Sequence, residues 1–459
     1  MAGMIQCISP IDGSVYAERE PLTLAAATEA VALAASAQCA WQSIPLEQRI
    51  ERVLAGIQCL GDMSADITRE LAWQMGRPVR YGGEFAGVQE RSNYMASIAR
   101  SALAPIDIEN SDAFMRRIER RPLGVVLVVA PWNYPYLTAI NTIVPALIAG
   151  NTVVLKHASQ TLLAGERLAA AFMAAGLPPG VFQNLVLDHA TTAALIGSNA
   201  FGFINFTGSV AGGKAMERAA AGTFTAVGTE LGGKDPGYLM DDANLDAAVE
   251  ALIDGAMFNS GQSCCGIERI YVCAEFFDAF VAKAVAIVEQ YKLGNPLEAE
   301  TTLGPMANIR FAEQVRSQVA EAVDAGARAL VNPDLFPNDA GAYLMPQILV
   351  DVTHEMRVMR EESFGPVVGI MKVSDDEEAI ALMNDSDFGL TASLWTSDAV
   401  RAQRVAARLQ TGTVFMNRCD YLDPALCWTG CKDTGRGGSL SVIAYQNLTR
   451  PMSFHFKKL

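Results

Sequence analysis

The chain has 459 residues, of which 51% are hydrophobic and only 19% charged, and its formal net charge is −15. This composition excludes wholesale disorder, which needs low hydrophobicity and high charge, and the acidic balance argues against a nucleic-acid surface, where phosphate neutralisation supplies most of the affinity. One hydrophobic core rarely grows past about 250–300 residues, so at least two domains are expected.

Met1–Pro10 has no basic stretch followed by an apolar run, so no secretory leader is expected. The nine cysteines are too few for a disulfide framework, and a reducing cytoplasm with free thiols is the expected setting. None of the four histidines pairs with a cysteine at metal-ligand spacing, so no metal site is expected. Cys427 and Cys431 are spaced CxxxC without a second pair and read as coincidence.

Helical spacing of Ala, Leu, Glu and Arg predicts helices over Leu22–Trp41, Leu46–Met75 and Gly82–Leu103. Ile106–Arg121 alternates and is charged, as in an exposed β-hairpin arm. From Pro122 to Leu155 there is no charged residue, a length that invites a membrane reading. Three prolines and three asparagines interrupt it, so it reads as strand Gly124–Ala130, a loop, helix Tyr136–Ala149 and strand Thr152–Lys156. Strands Gln183–Leu187 and Phe203–Phe206 follow. A second series comprises strands Gly237–Met240, Arg269–Val272, Gln347–Val350, Val367–Lys372, Ala392–Thr396 and Thr413–Asn417. Helices are expected at Leu245–Asn259, Glu275–Tyr291 and Ile309–Ala325. Strand–helix alternation predicts an α/β chain with two doubly wound parallel sheets, joined near Gly232–Gly233.

Four segments carry chemistry. Phe258-Asn-Ser-Gly-Gln-Ser-Cys-Cys-Gly places Cys264 and Cys265 after a Gly-Gln turn. A sulfur there is either a nucleophile or part of a buried, inert pair. Thr229-Glu-Leu-Gly-Gly-Lys puts Glu230 at a tight bend, where a carboxylate serves as a general base or simply faces solvent. Pro131-Trp-Asn-Tyr-Pro sits at the carboxyl end of a strand, the edge at which open α/β sheets bind ligands. Asn133 there is an oxyanion donor or a turn residue. Asn205-Phe-Thr-Gly-Ser-Val-Ala-Gly-Gly leads a strand into a helix N-terminus, a phosphate-attracting end, although it is not a G-x-G-x-x-G loop.

Together, and in this order, these segments resemble the aldehyde dehydrogenase superfamily over essentially the whole chain. The ordered set is PWN, a strand ending in Lys156, FTGS, ELGGK, GQSC and EESFGP. The resemblance implies NAD(P)+-dependent oxidation of an aldehyde to its acid through a cysteine thiohemiacetal and thioester. Cys264 would be the nucleophile, Glu230 the general base and Asn133 an oxyanion donor. Pro131, Trp132, Lys156, Ser159, Gly208, Ser209, Gly213, Glu362 and Phe364 would contact NAD or NADP. The implied layout is a cofactor domain (1–105 and 123–232), a catalytic domain (233–434), and oligomerisation segments (106–122 and 435–459) that pair across a homodimer or homotetramer.

Departures from the family pattern carry information. Ser159 stands where many NAD-preferring members have a glutamate that would repel a 2′-phosphate, so NADP+ use is expected. His157 is expected on an exposed turn. The run from Cys427 to Gly438 lacks the family's usual Pro-Phe and Arg-Glu, as in a less common branch. Tyr134, Thr138, Asn141 and the loop Cys419–Leu422 are expected at the substrate entrance, with Arg418 a candidate for an acidic aldehyde. Two alternatives remain: a CoA-acylating enzyme, whose members generally lack the base seen here as Glu230, and a non-catalytic protein of the same fold, which would not need both Cys264 and Glu230.

Overall fold

The computed structural model describes residues 3–458. Five parallel strands lie in the order Phe182–Asn184, Thr152–Lys156, Val125–Val129, Phe203–Thr207, Ala226–Glu230. Val125–Val129 reads Val-Val-Leu-Val-Val and is buried along its whole length. Helices cover both faces of such a sheet, which is why its central strand is continuously apolar. The charge-free stretch is explained the same way. Its helix, Pro135–Ile148, is almost wholly buried among protein side chains. Among the described residues no helix is long and apolar enough to cross a membrane.

The second sheet has seven strands in the order Arg328–Ala329, Gln347–Val350, Val367–Val373, Ile267–Cys273, Asp235–Leu239, Thr391–Trp395, Thr413–Met416. All its pairs are parallel except the outermost, Arg328–Ala329 with Gln347–Val350. The six strands read from sequence in this half all appear, with ends moved by at most two residues.

Two differences have physical causes. The predicted helix Leu46–Met75 is two helices, Leu46–Asp62 and Ser64–Met75. Met63 leaves helical geometry, and Gly61 beside it packs so closely on the Phe85 ring that a Cβ would lie 2.3 Å from it. The strand Ala226–Glu230 was implied only by the strand-to-loop bend at Glu230 and given no bounds, because Ala, Gly and Glu dilute the strand preference of its Val and Thr. It is held from both sides: by Phe203–Thr207, and by the C-terminal loop, where Arg436 O and Thr434 O accept from Thr229 N and Leu231 N at 2.8 and 2.9 Å. A hairpin, Ile5–Ile8 with Val15–Arg19, was also not read.

The arm and the tail meet within one chain. Thr449–Lys457 pairs antiparallel with Phe114–Pro122 along its full length, and Ile106–Asp107 adds a third strand. The pairing expected across subunits is therefore satisfied inside the chain, leaving the outer edge of Thr449–Lys457 without a strand partner among the described residues. Within 435–459 only that strand joins the arm. Ser441–Asn447 is a helix packed beside Phe85–Ala102, where Tyr445 Oη donates to Met95 O at 2.8 Å.

Candidate active site

The loops that leave the carboxyl ends of the five-stranded sheet converge, as ligand-binding loops of open α/β sheets do. Pro131–Asn133 follows Val125–Val129, Gly208–Ser209 follows Phe203–Thr207, and Glu230 ends Ala226–Glu230. Across from them comes the turn carrying Cys264, between Phe258–Gly261 and Ile267–Cys273.

Two clefts meet there. One, of about 760 Å³, is walled by Tyr134, Thr138, Asn141, Asp420, Leu422 and Trp428, with Arg91 and Phe258. The other, of about 880 Å³, is walled by Pro131, Trp132, Asn133, Gly208, Ser209, Glu362 and Phe364. Cys264, Glu230, Thr207 and Leu231 belong to both. Of the entrance residues read from sequence, Tyr134, Thr138, Asn141, Asp420 and Leu422 line one cleft, whereas Cys419 is buried against Ala251 O, Tyr421 donates to Glu90, and Arg418, its guanidinium 3.6 Å from the Tyr421 ring centroid, is not part of that wall. The arginine in the wall is Arg91.

The cysteine turn is strained. Asn259, Ser260 and Gly261 have φ of 55°, 56° and 70°, a left-handed run that persists only where surroundings over-determine it. Gly261 is obligatory, since a Cβ would sit 2.2 Å from Gly365 O. The turn leaves the Cys264 N–H without an acceptor among the described residues, while Gln262 O accepts from Asn133 Nδ2 at 3.2 Å. One amide proton of Asn133 is therefore committed to the turn and the other is free. Cys265 is buried, 3.5 Å from Ser263 Oγ. The Cys264 thiol is held well above its ordinary range by the Cys265 thiol beside it and by burial, so it rests protonated. Burial also pushes Glu230 up to about 7, against the pull of Ser439 and Arg91. Such a carboxylate is poised to exchange protons near neutral pH.

Two buried ion pairs, neither read from sequence, hold these loops. Arg77 Nη1 pairs with Glu84 Oε1 at 2.7 Å, both side chains nearly inaccessible. Arg77 also donates to Asn133 O at 2.5 Å and to Asn259 Oδ1 at 3.2 Å. Glu84 accepts from Tyr136 N and Leu137 N, capping helix Pro135–Ile148. The loop of Asn133 and the turn of Cys264 are thereby fastened to one guanidinium. On the other side, Lys234 Nζ lies 2.5 Å from Glu268 Oε2, and Glu268 accepts from Ser363 N and Phe364 N at 2.8 and 2.9 Å. This places Glu362 over Gly233, whose N–H it accepts at 3.0 Å, and burial pushes Glu362 up to about 8.

The model of the Aldehyde dehydrogenase family matches residues 2–453. The chain belongs to that family. It is 34% identical over 415 residues to "Succinate semialdehyde dehydrogenase [NAD(P)+] Sad" of Escherichia coli (strain K12), covering 90% of this chain and 89% of the other. The solved aldehyde dehydrogenase of Brucella melitensis biovar abortus 2308 superposes with a TM-score of 0.95 at 29% identity, covering 99% of this chain and 94% of that one. The succinic semialdehyde dehydrogenase of Streptococcus pyogenes, solved with NADP+ as the cofactor, gives 0.92 at 27% identity and covers 99% of this chain and 100% of its own. This aldehyde dehydrogenase is an NAD(P)+-dependent oxidoreductase that converts an aldehyde to its carboxylic acid.

The walls of its second cleft fit a nicotinamide dinucleotide. Trp132 stacks on Phe311 with centroids 5.3 Å apart and meets Phe364 edge-on at 5.5 Å, forming an aromatic slot. Gly232 lets backbone and Glu362 approach, since a Cβ there would lie 2.3 Å from a Glu362 oxygen. Helix Val210–Ala220 starts at this cleft, its cap Ser209 Oγ accepting from Gly212 N at 3.2 Å, and such an end favours phosphate. Gly213 lines neither cleft. It makes room for Leu231, whose side chain would be 2.8 Å from a Cβ there. Lys156 and Ser159 come together in a separate small pocket of about 280 Å³. His157 is not on an exposed turn but buried, its Nε2 3.2 Å from Pro135 O, and burial lowers it to about 4, so it brings no positive charge.

Proposed function

We propose that Cys264 is the nucleophile of this oxidation, Glu230 its general base, and Asn133 Nδ2 with the Cys264 N–H its oxyanion hole. One observation carries this reading: Cys264 and Glu230 wall both clefts, so an aldehyde in one and a nicotinamide in the other meet at them. The Cys264 thiol loses its proton to solvent, and the sulfur bonds to the aldehyde carbon. The carbonyl pair moves to oxygen, where the two donors stabilise it; losing one such donor costs roughly 10²–10³-fold. The bound nicotinamide supplies a two-electron acceptor for the hydride of that carbon, which leaves a thioester on Cys264. Glu230 then draws a proton from water as it adds to the thioester. The C–S bond breaks, the proton held by Glu230 passes to the sulfur, and the acid leaves with the thiol restored.

Residues 1–105 and 123–232 form the cofactor-binding domain in this reading, and 233–434 the catalytic domain. Lys156 and Ser159 face the adenosine end. With Ser159 in place of a carboxylate, NADP+ is accepted alongside NAD+. The outer edge of Thr449–Lys457 is the surface through which 106–122 and 435–459 build a homodimer or homotetramer, since a bare edge invites pairing. The compartment is the cytoplasm. The test is absorbance of reduced nicotinamide across an aldehyde panel, with and without CoA, for the wild type and Cys264→Ala. Turnover without CoA that disappears in Cys264→Ala supports the reading. No signal from the wild type with either cofactor refutes it, as would full activity in Cys264→Ala. Light scattering that gives a monomer would refute the assembly.

A further inference from the structure

Arg91 is a buried cation without a counter-ion. It lies on helix Phe85–Ala102 in the wall of the aldehyde cleft, 8% exposed. No carboxylate lies within ion-pair distance of it among the described residues, whereas buried Arg77 and Lys234 each have one. Arg269, also buried, engages all three guanidinium nitrogens with carbonyls and a tyrosine. Arg91 engages only Nη1, at 3.2 Å from both Leu137 O and Asn141 Oδ1. Its Nε and Nη2 donate to nothing among the described residues. A buried charge is ordinarily paired, because leaving it alone in a low dielectric is expensive.

Asn141 faces it from helix Pro135–Ile148, 1% exposed and in the same wall. Because Arg91 occupies Oδ1, the amide orientation is set, and Nδ2 is the free end. That nitrogen is buried and has no partner. Arg91, with Nε and Nη2 unused, and Asn141, whose unpartnered Nδ2 lies just behind the surface, thus belong to the wall of a pocket whose other walls include Leu137, Phe258, Leu422 and Trp428. An apolar middle with a donor pair in the wall suits an aliphatic chain that ends in a carboxylate.

We infer that Arg91 and Asn141 bind a carboxylate on the substrate, so the preferred aldehydes are aliphatic ω-oxo acids. This deepens the proposed function and rests on Cys264 attacking the aldehyde end. The nearby acids do not occupy the donors. Glu84 is committed to Arg77 and a helix N-terminus, and Glu90 to Tyr421 Oη. Glu230 lies within electrostatic reach of Arg91 but forms no ion pair with it, and burial leaves about half its charge at neutral pH. Asp420, lifted to about 6 by burial and Asp254, has Arg418 near to offset it.

The experiment pairs each four-, five- and six-carbon ω-oxo acid with the straight-chain aldehyde of equal length and reads the ratio of kcat/KM values. Arg91 also favours the ionised form of Glu230, so its loss slows water activation for every aldehyde, and the ratio removes that common factor. The wild type should favour the oxo acid at one length or more. Arg91→Met should cut that ratio roughly 10- to 100-fold, mainly through KM, the scale of a hydrogen bond to a charged group. Arg91→Lys should restore part of it, and Asn141→Leu should lower it less. Should Arg91→Met not fold, saturated dicarboxylates are compared with their diamides as inhibitors of the wild type; only the dicarboxylates should compete. A wild-type ratio near one at every length, a ratio unmoved in Arg91→Met, or equal inhibition by the diamides would overturn the inference while leaving the oxidation intact. A wild type that oxidises neither member of any pair would overturn the proposed function instead.

Discussion

Glu230→Gln keeps the shape of the side chain and removes its charge, so it separates the two halves of the reaction. The carboxyl ionises near 4.5 in an unfolded chain and near 7 in this pocket, because burial penalises the charged form. Below pH 4.5 it is protonated in both states and costs the fold nothing. As pH rises from 4.5 to 7 the unfolded chain releases this proton while the folded protein keeps it, and stability falls. Above pH 7 the full cost is present, roughly 3 kcal/mol at about 1.36 kcal/mol per unit of difference. The variant should therefore match the wild type within about 1 kcal/mol at pH 5 and exceed it by roughly 3 kcal/mol at pH 8 in urea titrations. Function should move the opposite way. In the wild type the ionised fraction climbs from about a tenth at pH 6 to about nine tenths at pH 8, so turnover limited by thioester hydrolysis should rise about tenfold. In Glu230→Gln, stopped-flow should still show a burst of reduced nicotinamide, while steady turnover falls about 10²–10⁴-fold. Equal loss of burst and turnover, or no gain in stability at pH 8, would refute the assignment of Glu230 as the buried base for water.

Cys264→Ala should lose dehydrogenase and esterase activity with its circular dichroism unchanged, whereas Cys265→Ala, buried away from the second cleft, should keep most activity; the reverse pattern in an initial-rate assay would show the register to be wrong. Arg77→Met strands Glu84 in the interior and should destabilise the protein by about 3–5 kcal/mol in urea unfolding. It should also lower the burst rate, because Asn133 O and Asn259 lose their common anchor. Ser159→Glu should raise KM for NADP+ more than for NAD+; strict NAD+ dependence in the wild type, unchanged by the substitution, would place the choice elsewhere.

The clearest signals in the sequence were short and local. Gly261-Gln262 before Cys264 and Gly232-Gly233 after Glu230 are legible because their backbones need glycine where Gly365 O and Glu362 crowd in. Val125–Val129 is legible because a strand buried on both faces must be apolar throughout. Arg77 is different. Its seven-residue spacing to Glu84 spans Pro78 and the turn beyond it, and its other partners are 56 and 182 positions away. Nothing in a local pattern marks such a residue. The same holds for Arg91, which reads as one more charge on an amphipathic helix, while Arg418, in the more suggestive loop, lies over Tyr421 instead.

Sequence alone settles which residue types are present to do chemistry, and most of the order of strands and helices that carries them. A thiol, a carboxylate and an amide must be those residues, and hydrophobic periodicity is written along the chain. Tertiary structure alone decides what each group's surroundings make of it. Glu230 sits near 7 because helices and loops distant in sequence shut water out. His157 is neutral because it is buried under Pro135 O, not exposed on a turn. The strand Ala226–Glu230 exists because Thr434 and Arg436 fold back over it. Desolvation and long-range hydrogen bonding are properties of a packed interior, and they have no counterpart in the local pattern of a chain.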